Sequence, residues 1–215
     1  PPRLAVLVSG SGTNLQAMLE AVEQGTLDAE ICAVVTDNPA AFGLERARRA
    51  GISAHAIPFN AFARRSDFDT ELGQMLSTIA PDYIALAGYM RIMATTTVEC
   101  YAGRMLNIHP SLLPAYPGLH TYTRALAAGE RWHGTTVHFV IPELDAGPGI
   151  IQYRVPVLPD DTEQTLQKRV QSGEYQIYPR GLQWLVSGRI RLDHARPLLD
   201  GQPLSTPVIV EANEC

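Results

Sequence analysis

The chain has 215 residues, 46% of them hydrophobic and 18% charged, with a formal net charge of −5. This suits one soluble domain with a full core, and the acidic balance argues against a general nucleic-acid-binding surface, so any phosphate site must be local. No apolar run approaches the roughly 18 residues of a membrane span, no secretory pattern precedes Arg3, and Cys32, Cys100 and Cys215 lack metal-site spacing and form no even disulfide set, as expected of ordinary cytoplasmic thiols.

Residues 4–8 form a continuous apolar run, the pattern of a strand buried on both faces of a parallel sheet. Ser9-Gly10-Ser11-Gly12-Thr13-Asn14 follows, and an amphipathic helix then runs from Leu15 to near Gly25. A strand, a glycine loop and a helix start together make an anion site, because the first N–H groups of a helix are unpaired and glycines let a phosphate come close. The same loop reads equally as a tight turn without a ligand. Leu15 stands where the dinucleotide fingerprint places its third glycine, which argues against NAD. Strands over 31–36, 53–57 and 83–87 alternate with helices over 44–49, 68–79 and 95–101, punctuated by Pro39, Gly51 and Pro81. That alternation predicts a parallel sheet with right-handed crossovers and helices on both faces.

A short strand over 104–108 leads into His109-Pro110, and proline ends it because it cannot donate to a sheet ladder. Side chains alternate along a strand, so Asn107 and His109 point the same way, at the end of the sheet where α/β proteins bind ligands. Pro110, Pro114 and Pro117 stiffen the loop that follows. On the residues alone His109 is equally a hydrogen-bonded structural side chain. A helix over 123–128 comes next, then strands over 135–141 and 150–155, whose short connection predicts an antiparallel pair. His138 alternates within the first of these and reads as structural. Asp145, ahead of Ala-Gly-Pro-Gly in the connection, is by itself a turn residue. A long helix covers 162–187, and the tail reads as a hairpin at Asp200-Gly201-Gln202 followed by a fraying end.

Asn107-Ile108-His109-Pro110-Ser111-Leu112-Leu113-Pro114, followed by Tyr116-Pro117-Gly118-Leu119-His120, resembles the central motif of the folate-dependent formyltransferases. Leu144-Asp145-x-Gly147-Pro148 is similar to the aspartate segment of that family. The resemblance runs from the Ser9-Gly10-x-Gly12-x-Asn14 loop to Glu174-Tyr175-Gln176-Ile177-Tyr178-Pro179. It implies an α/β, Rossmann-like formyltransferase fold: a mostly parallel twisted sheet with helices on both faces and antiparallel strands in the C-terminal half. It also implies a single domain over 1–215, with a nucleotide-binding half to about 102 and a folate and catalytic half from about 103.

The activity implied is transfer of a formyl group from 10-formyltetrahydrofolate, the co-substrate, to the amine of glycinamide ribonucleotide in purine biosynthesis. Asn107 and protonated His109 would donate to the oxyanion, and removing such a donor costs about 10²–10³ in rate. Asp145 would pair with the protonated imidazole and relay protons through a water. Gly12, Thr13, Asn14 and Glu174 are implied to bind the ribonucleotide, and His120 to lie near the phosphate or the cleft. The folate is implied to contact Met90, Arg91, Ile92, Met93, Asn107, Ile141, Pro142, Glu143, Leu144 and Asp145. Arg65 would reach its carboxylated tail, with Arg64 beside it as an alternative. Ala115 departs from the basic or aromatic residue of many relatives.

No His/Cys/Asp cluster has ligand spacing, so no metal is expected. Small-molecule substrates are the expected partners, without nucleic acid or membrane, for a monomer or homodimer in the cytoplasm. Two other branches of the family, one formylating methionyl-tRNA and one hydrolysing formyltetrahydrofolate, carry an additional domain and are disfavoured by length. A catalytically silent folate- or nucleotide-binding module is the reading from a different class. The retention of Asn107, His109 and Asp145 together argues against it.

Overall fold

The computed structural model describes residues 1–212, so Cys215 and the end of the predicted fraying tail lie outside the described residues. Strand and helix alternate through β1 (Arg3–Val8), α1 (Thr13–Glu23), β2 (Glu30–Thr36), α2 (Phe42–Arg49), β3 (Ser53–Ala56), α3 (Arg65–Ile79), β4 (Tyr83–Leu86), α4 (Thr95–Cys100) and β5 (Met105–His109). The second half holds α5 (Thr121–Ala127), β6 (Trp132–Phe139), β7 (Gly149–Pro156), α6 (Glu163–Val186), β8 (Ile190–Asp193), β9 (Arg196–Leu199), β10 (Gln202–Pro203) and β11 (Val208–Glu211).

Eight strands form one sheet in the order β11-β7-β6-β5-β4-β1-β2-β3, and β8, β9 and β10 form a small separate sheet. β1 to β5 are mutually parallel, and β6 runs antiparallel to both β5 and β7. The apolar run of β1 is explained by burial on both faces. Leu4, Val6 and Val8 join Leu15 and Met18 of α1 and Leu166, Ile177 and Leu182 of α6, whereas Ala5 and Leu7 join Phe68, Leu72 and Leu76 of α3. The period-2 alternation of a strand thus divides one hydrophobic segment between two cores.

α6 is docked closely on the second half of the sheet. A Cβ at Gly173 would lie 1.9 Å from Tyr153 Cδ1, so only glycine allows that approach to β7. The buried Tyr178 hydroxyl sits 2.7 Å from the Leu86 carbonyl and 3.0 Å from that of Leu106, bridging the neighbouring strands β4 and β5. Thr162 caps the helix by accepting from Thr165 N, and the Asp161 carboxylate ahead of it takes two hydrogen bonds of 2.6 Å from Arg169. No helix among the described residues is long and apolar enough to cross a membrane.

Element boundaries depart from the sequence pattern where apolar periodicity is silent. α3 begins at Arg65 rather than Phe68, because its first turn is polar. β5 runs to His109 itself. The end of the chain is a correction: residues 208–211 are not a fraying tail but strand β11, paired parallel with β7, which satisfies backbone groups at the sheet edge. The hairpin at Asp200-Gly201 is present as the turn between β9 and β10.

Candidate active site

Strand β1 is flanked by β2 on one side and β4 on the other, so the chain leaves it in one direction and returns on the opposite side. At such a switch point the loops after the two central strands part and open a crevice at their carboxyl ends. Residues 10–14 after β1 and 86–93 after β4 line a cleft of about 650 Å³ there, with the end of β5, residues 140–145 and the start of α6 closing it. That volume lies in the range of small-molecule sites.

Gly12 adopts a left-handed φ of 70° at the N-cap of α1, and a Cβ there would lie 2.8 Å from Gly43 Cα. Glycine is required on both counts, of hand and of space. No side chain caps the helix, which leaves the N–H groups of its first turn for a ligand. Arg46 donates from Nε to the Ser11 carbonyl at 2.8 Å and braces the loop from outside. Asn14 is buried, its Nδ2 donates to Glu174 Oε2 at 3.0 Å, and its Oδ1 has no partner among the described residues.

Glu174 is 7% exposed and lines the cleft, so it is not a surface acid. Burial pushes its carboxyl above the ordinary range, opposed by its hydrogen bonds with Asn14 and Thr135. Gln167, Gln171 and Glu174 follow one another at helical spacing and face the cleft together. Sequence reading passed over the two glutamines, although that stripe was a usable signal.

Asn107 and His109 both line the cleft from β5, as the alternation of the strand requires. Asn107 Oδ1 accepts from Ile108 N at 2.8 Å. A backbone N–H can only donate, so the carbonyl end of the amide is fixed and its NH₂ is left for the cleft. His109 Nε2 donates to the Tyr116 carbonyl at 2.8 Å, while Nδ1 stands 3.5 Å from Asp145 Oδ2. Both ring nitrogens therefore face acceptors, and both are donors only in the imidazolium. The longer separation leaves Nδ1 able to engage an oxygen brought in by a substrate.

Asp145 is anchored in turn, accepting from Gly118 N at 2.9 Å through the same Oδ2. It holds a left-handed φ of 52°, and Tyr116 and His120 around the same cleft have φ of 53° and 57°. Such conformations cost energy in a non-glycine residue and gather where a site imposes its geometry. Behind the loop, His133 lies edge-on to Tyr116 and Tyr122, and burial pushes its imidazole down to about 4.

Met90, Arg91, Ile92 and Met93 form one wall of the cleft and Ile141, Pro142, Glu143 and Leu144 another. The Arg91 guanidinium turns back to Asp37, 2.7 Å away. His120 lines the cleft, and so does His138, which the strand pattern reads as structural. His138 is buried, its Nδ1 donates to the Phe139 carbonyl at 2.9 Å, and Nε2 has no partner among the described residues. Burial lowers its pKa, which favours the neutral ring and leaves Nε2 as an acceptor.

Arg65 lies outside the lining and donates to the Ile92 carbonyl at 2.5 Å, thereby touching the wall from behind. Arg64 pairs with Asp67 at 3.0 Å on the exposed side. Ala115 is exposed and away from the cleft. No group of three His, Cys, Asp or Glu side chains placed to hold a metal ion occurs among the described residues.

Comparison with known proteins shows the family and fold to which the chain is similar. The family described as formyl transferase matches residues 2–182. The chain is 48% identical over 201 residues to phosphoribosylglycinamide formyltransferase of Escherichia coli (strain K12), covering 94% of this chain and 95% of that protein. It is 41% identical to the human trifunctional purine biosynthetic protein adenosine-3, over 88% of this chain but 19% of that much longer one. The fold is similar, with a TM-score of 0.92 and 46% identity, to the phosphoribosylglycinamide formyltransferase of Coxiella burnetii in complex with CHES, over 97% of this chain and 99% of that one.

Proposed function

The chain belongs to the formyl transferase family, and from that membership we propose a working site in which Asn107, His109 and Asp145 carry out the reaction. The enzyme transfers the formyl group of 10-formyltetrahydrofolate to the amine of 5′-phosphoribosylglycinamide. The products are formylglycinamide ribonucleotide and tetrahydrofolate, in purine biosynthesis. The observation that carries the site assignment is the meeting of a helix-start anion loop with an amide donor and an imidazole–carboxylate pair in one cleft.

The amine attacks the formyl carbon, and its oxygen gains negative charge as the tetrahedral centre forms. The Asn107 NH₂ and His109 Nδ1–H stabilise that oxygen, two preorganised donors where charge develops. Asp145 neutralises the imidazolium and, through a water, takes the proton from the attacking amine and delivers it to the departing folate nitrogen. The N–H groups of residues 12–14 hold the 5′-phosphate, and Glu174 accepts from the ribose hydroxyls. His120 lies near the phosphate. Residues 90–93 and 141–145 bind the flat folate ring, with Arg65 at its carboxylated tail.

The two halves, to about residue 102 and from about 103, act as one catalytic unit. Its partners are small molecules, and it works in the cytoplasm as a monomer or homodimer. The test is to incubate the protein with 10-formyltetrahydrofolate and 5′-phosphoribosylglycinamide and follow deformylated folate together with formylated product. Folate deformylated without the acceptor would instead indicate a hydrolase.

A further inference from the structure

The wall formed by residues 88–93 has neither helix nor strand to fix its shape beyond the end of β4. Its Met90 and Ile92 side chains are exposed, whereas Tyr89 and Met93 on either side of them pack on the core. The stretch between them is held by Arg65 at the Ile92 carbonyl and by a set of bonds that converges on Asp37, just past β2. The Asp37 side chain is 2% exposed, and both of its oxygens are taken. Oδ1 accepts from Ser9 Oγ at 2.6 Å and Oδ2 accepts from Arg91 Nε at 2.7 Å. The Ser9 hydroxyl in turn accepts from Met90 N at 2.8 Å, and Ser9 N donates to the Gly88 carbonyl at 3.2 Å. Arg91 is held flat over Phe59, 3.8 Å from the ring centroid, and Phe59 packs edge-on against Phe68 of the core.

A buried carboxylate is tolerated only when it is paired and hydrogen-bonded. Here its donors come from two different walls of the cleft. Ser9 is the residue from which the glycine loop departs, and Arg91 belongs to the opposite strip. The Arg91 guanidinium is thereby held on Asp37 from within the strip. Removing Asp37 would release Arg91 and the Ser9 hydroxyl together, and with them the backbone course of Met90 to Ile92.

We propose that Asp37 is a positioning residue which, through Ser9 and Arg91, fixes the 88–93 strip in the shape that binds the folate ring. This rests on the assignment of residues 90–93 to the folate made above. The glycine loop has its own support from Arg46 and Gly43, so the effect falls on one substrate.

The experiment measures kcat and both KM values for Asp37→Asn, Arg91→Lys, the double variant and Met90→Ala. Asp37→Asn and Arg91→Lys each raise the KM for 10-formyltetrahydrofolate by about ten- to hundred-fold, the loss of one hydrogen bond to a charged group. The KM for the ribonucleotide and kcat stay within about three-fold. The double variant is no worse than the poorer single one, because both break the same link. If Asp37→Asn is too unstable to purify, Ser9→Ala, which cuts the link from Asp37 to Met90 N without changing a residue of the cleft lining, decides by the same criterion. A normal folate KM in the Asp37 and Arg91 variants with a raised one in Met90→Ala overturns the positioning role while leaving the folate assignment standing. A normal folate KM in all of them overturns both. Equal rises in both KM values with a lowered Tm reduce Asp37 to general structural support and also overturn the proposal.

Discussion

Asp145→Asn removes one charge from the centre of the proposed mechanism and almost nothing else. Asparagine tolerates the left-handed backbone that Asp145 adopts at φ 52°. Its oxygen can occupy the place of Oδ2 and keep the 2.9 Å hydrogen bond from Gly118 N. Exchanging a charged acceptor for a neutral one there costs about 1 kcal/mol of stability. The catalytic loss is larger. A carboxylate 3.5 Å from an imidazolium is worth about 5 kcal/mol at an effective dielectric of ~20, and at ~1.4 kcal/mol per decade the ceiling is between three and four decades in rate. Proton relay by general acid–base groups contributes about 10²–10⁴, which falls in the same range. The expected result is therefore a fall in kcat of about 10²–10⁴ with dissociation constants for both substrates nearly unchanged. Initial rates of folate deformylation, equilibrium binding of each substrate and thermal unfolding of the variant give the three quantities. A kcat within about ten-fold of the parent, or activity lost only through weaker binding, would show that Asp145 is a turn residue that happens to lie beside His109.

Glycinamide riboside lacking the 5′-phosphate should have kcat/KM lower by about 10²–10⁴, the worth of one or two charged hydrogen bonds at the uncapped start of α1. Equal kcat/KM for the two acceptors would remove the phosphate from Gly12–Asn14. Glu174→Gln should gain thermal stability relative to the parent as pH rises from about 4 to 8. The buried Glu174 carboxyl is raised, so its stabilising contribution is complete below the unfolded pKa and is lost as pH rises through the folded one. Melting curves in which the parent gains on the variant with rising pH would contradict this. Asp161→Asn should cost about 1.5–3 kcal/mol at neutral pH by breaking the paired bonds with Arg169. Asp161 is held well below the carboxylate range by Arg169, so the difference from the parent should close as pH falls through that low folded value. A difference that persists in strong acid would place its origin in packing.

The sequence determined those features that depend on neighbours along the chain. The apolar run of β1, the glycine loop and the helix after it are legible because strand burial, left-handed turns and helix starts are local events. The pairing of Asn107 with His109 on one side of β5 follows from strand alternation alone. The strip 208–211 also carried a local signal, the β-branched run Val208-Ile209-Val210, but nothing along the chain identified β7 as its partner.

Tertiary structure decided where long-range partners meet. The sheet order carries the connection between β6 and β7 back beside the end of β5, so that Asp145 faces His109 and both are stiffened by the loop holding Tyr116 and Gly118. It lays α6 across β4 and β5, which turns Glu174 from an apparent surface acid into a buried partner of Asn14. It brings Asp37 to Arg91 from the ends of strands separated by β1. Local periodicity indicates which face of an element is apolar, but the identity of the opposing polar partner depends on which elements pack together, and in a doubly wound sheet that is set by strand order.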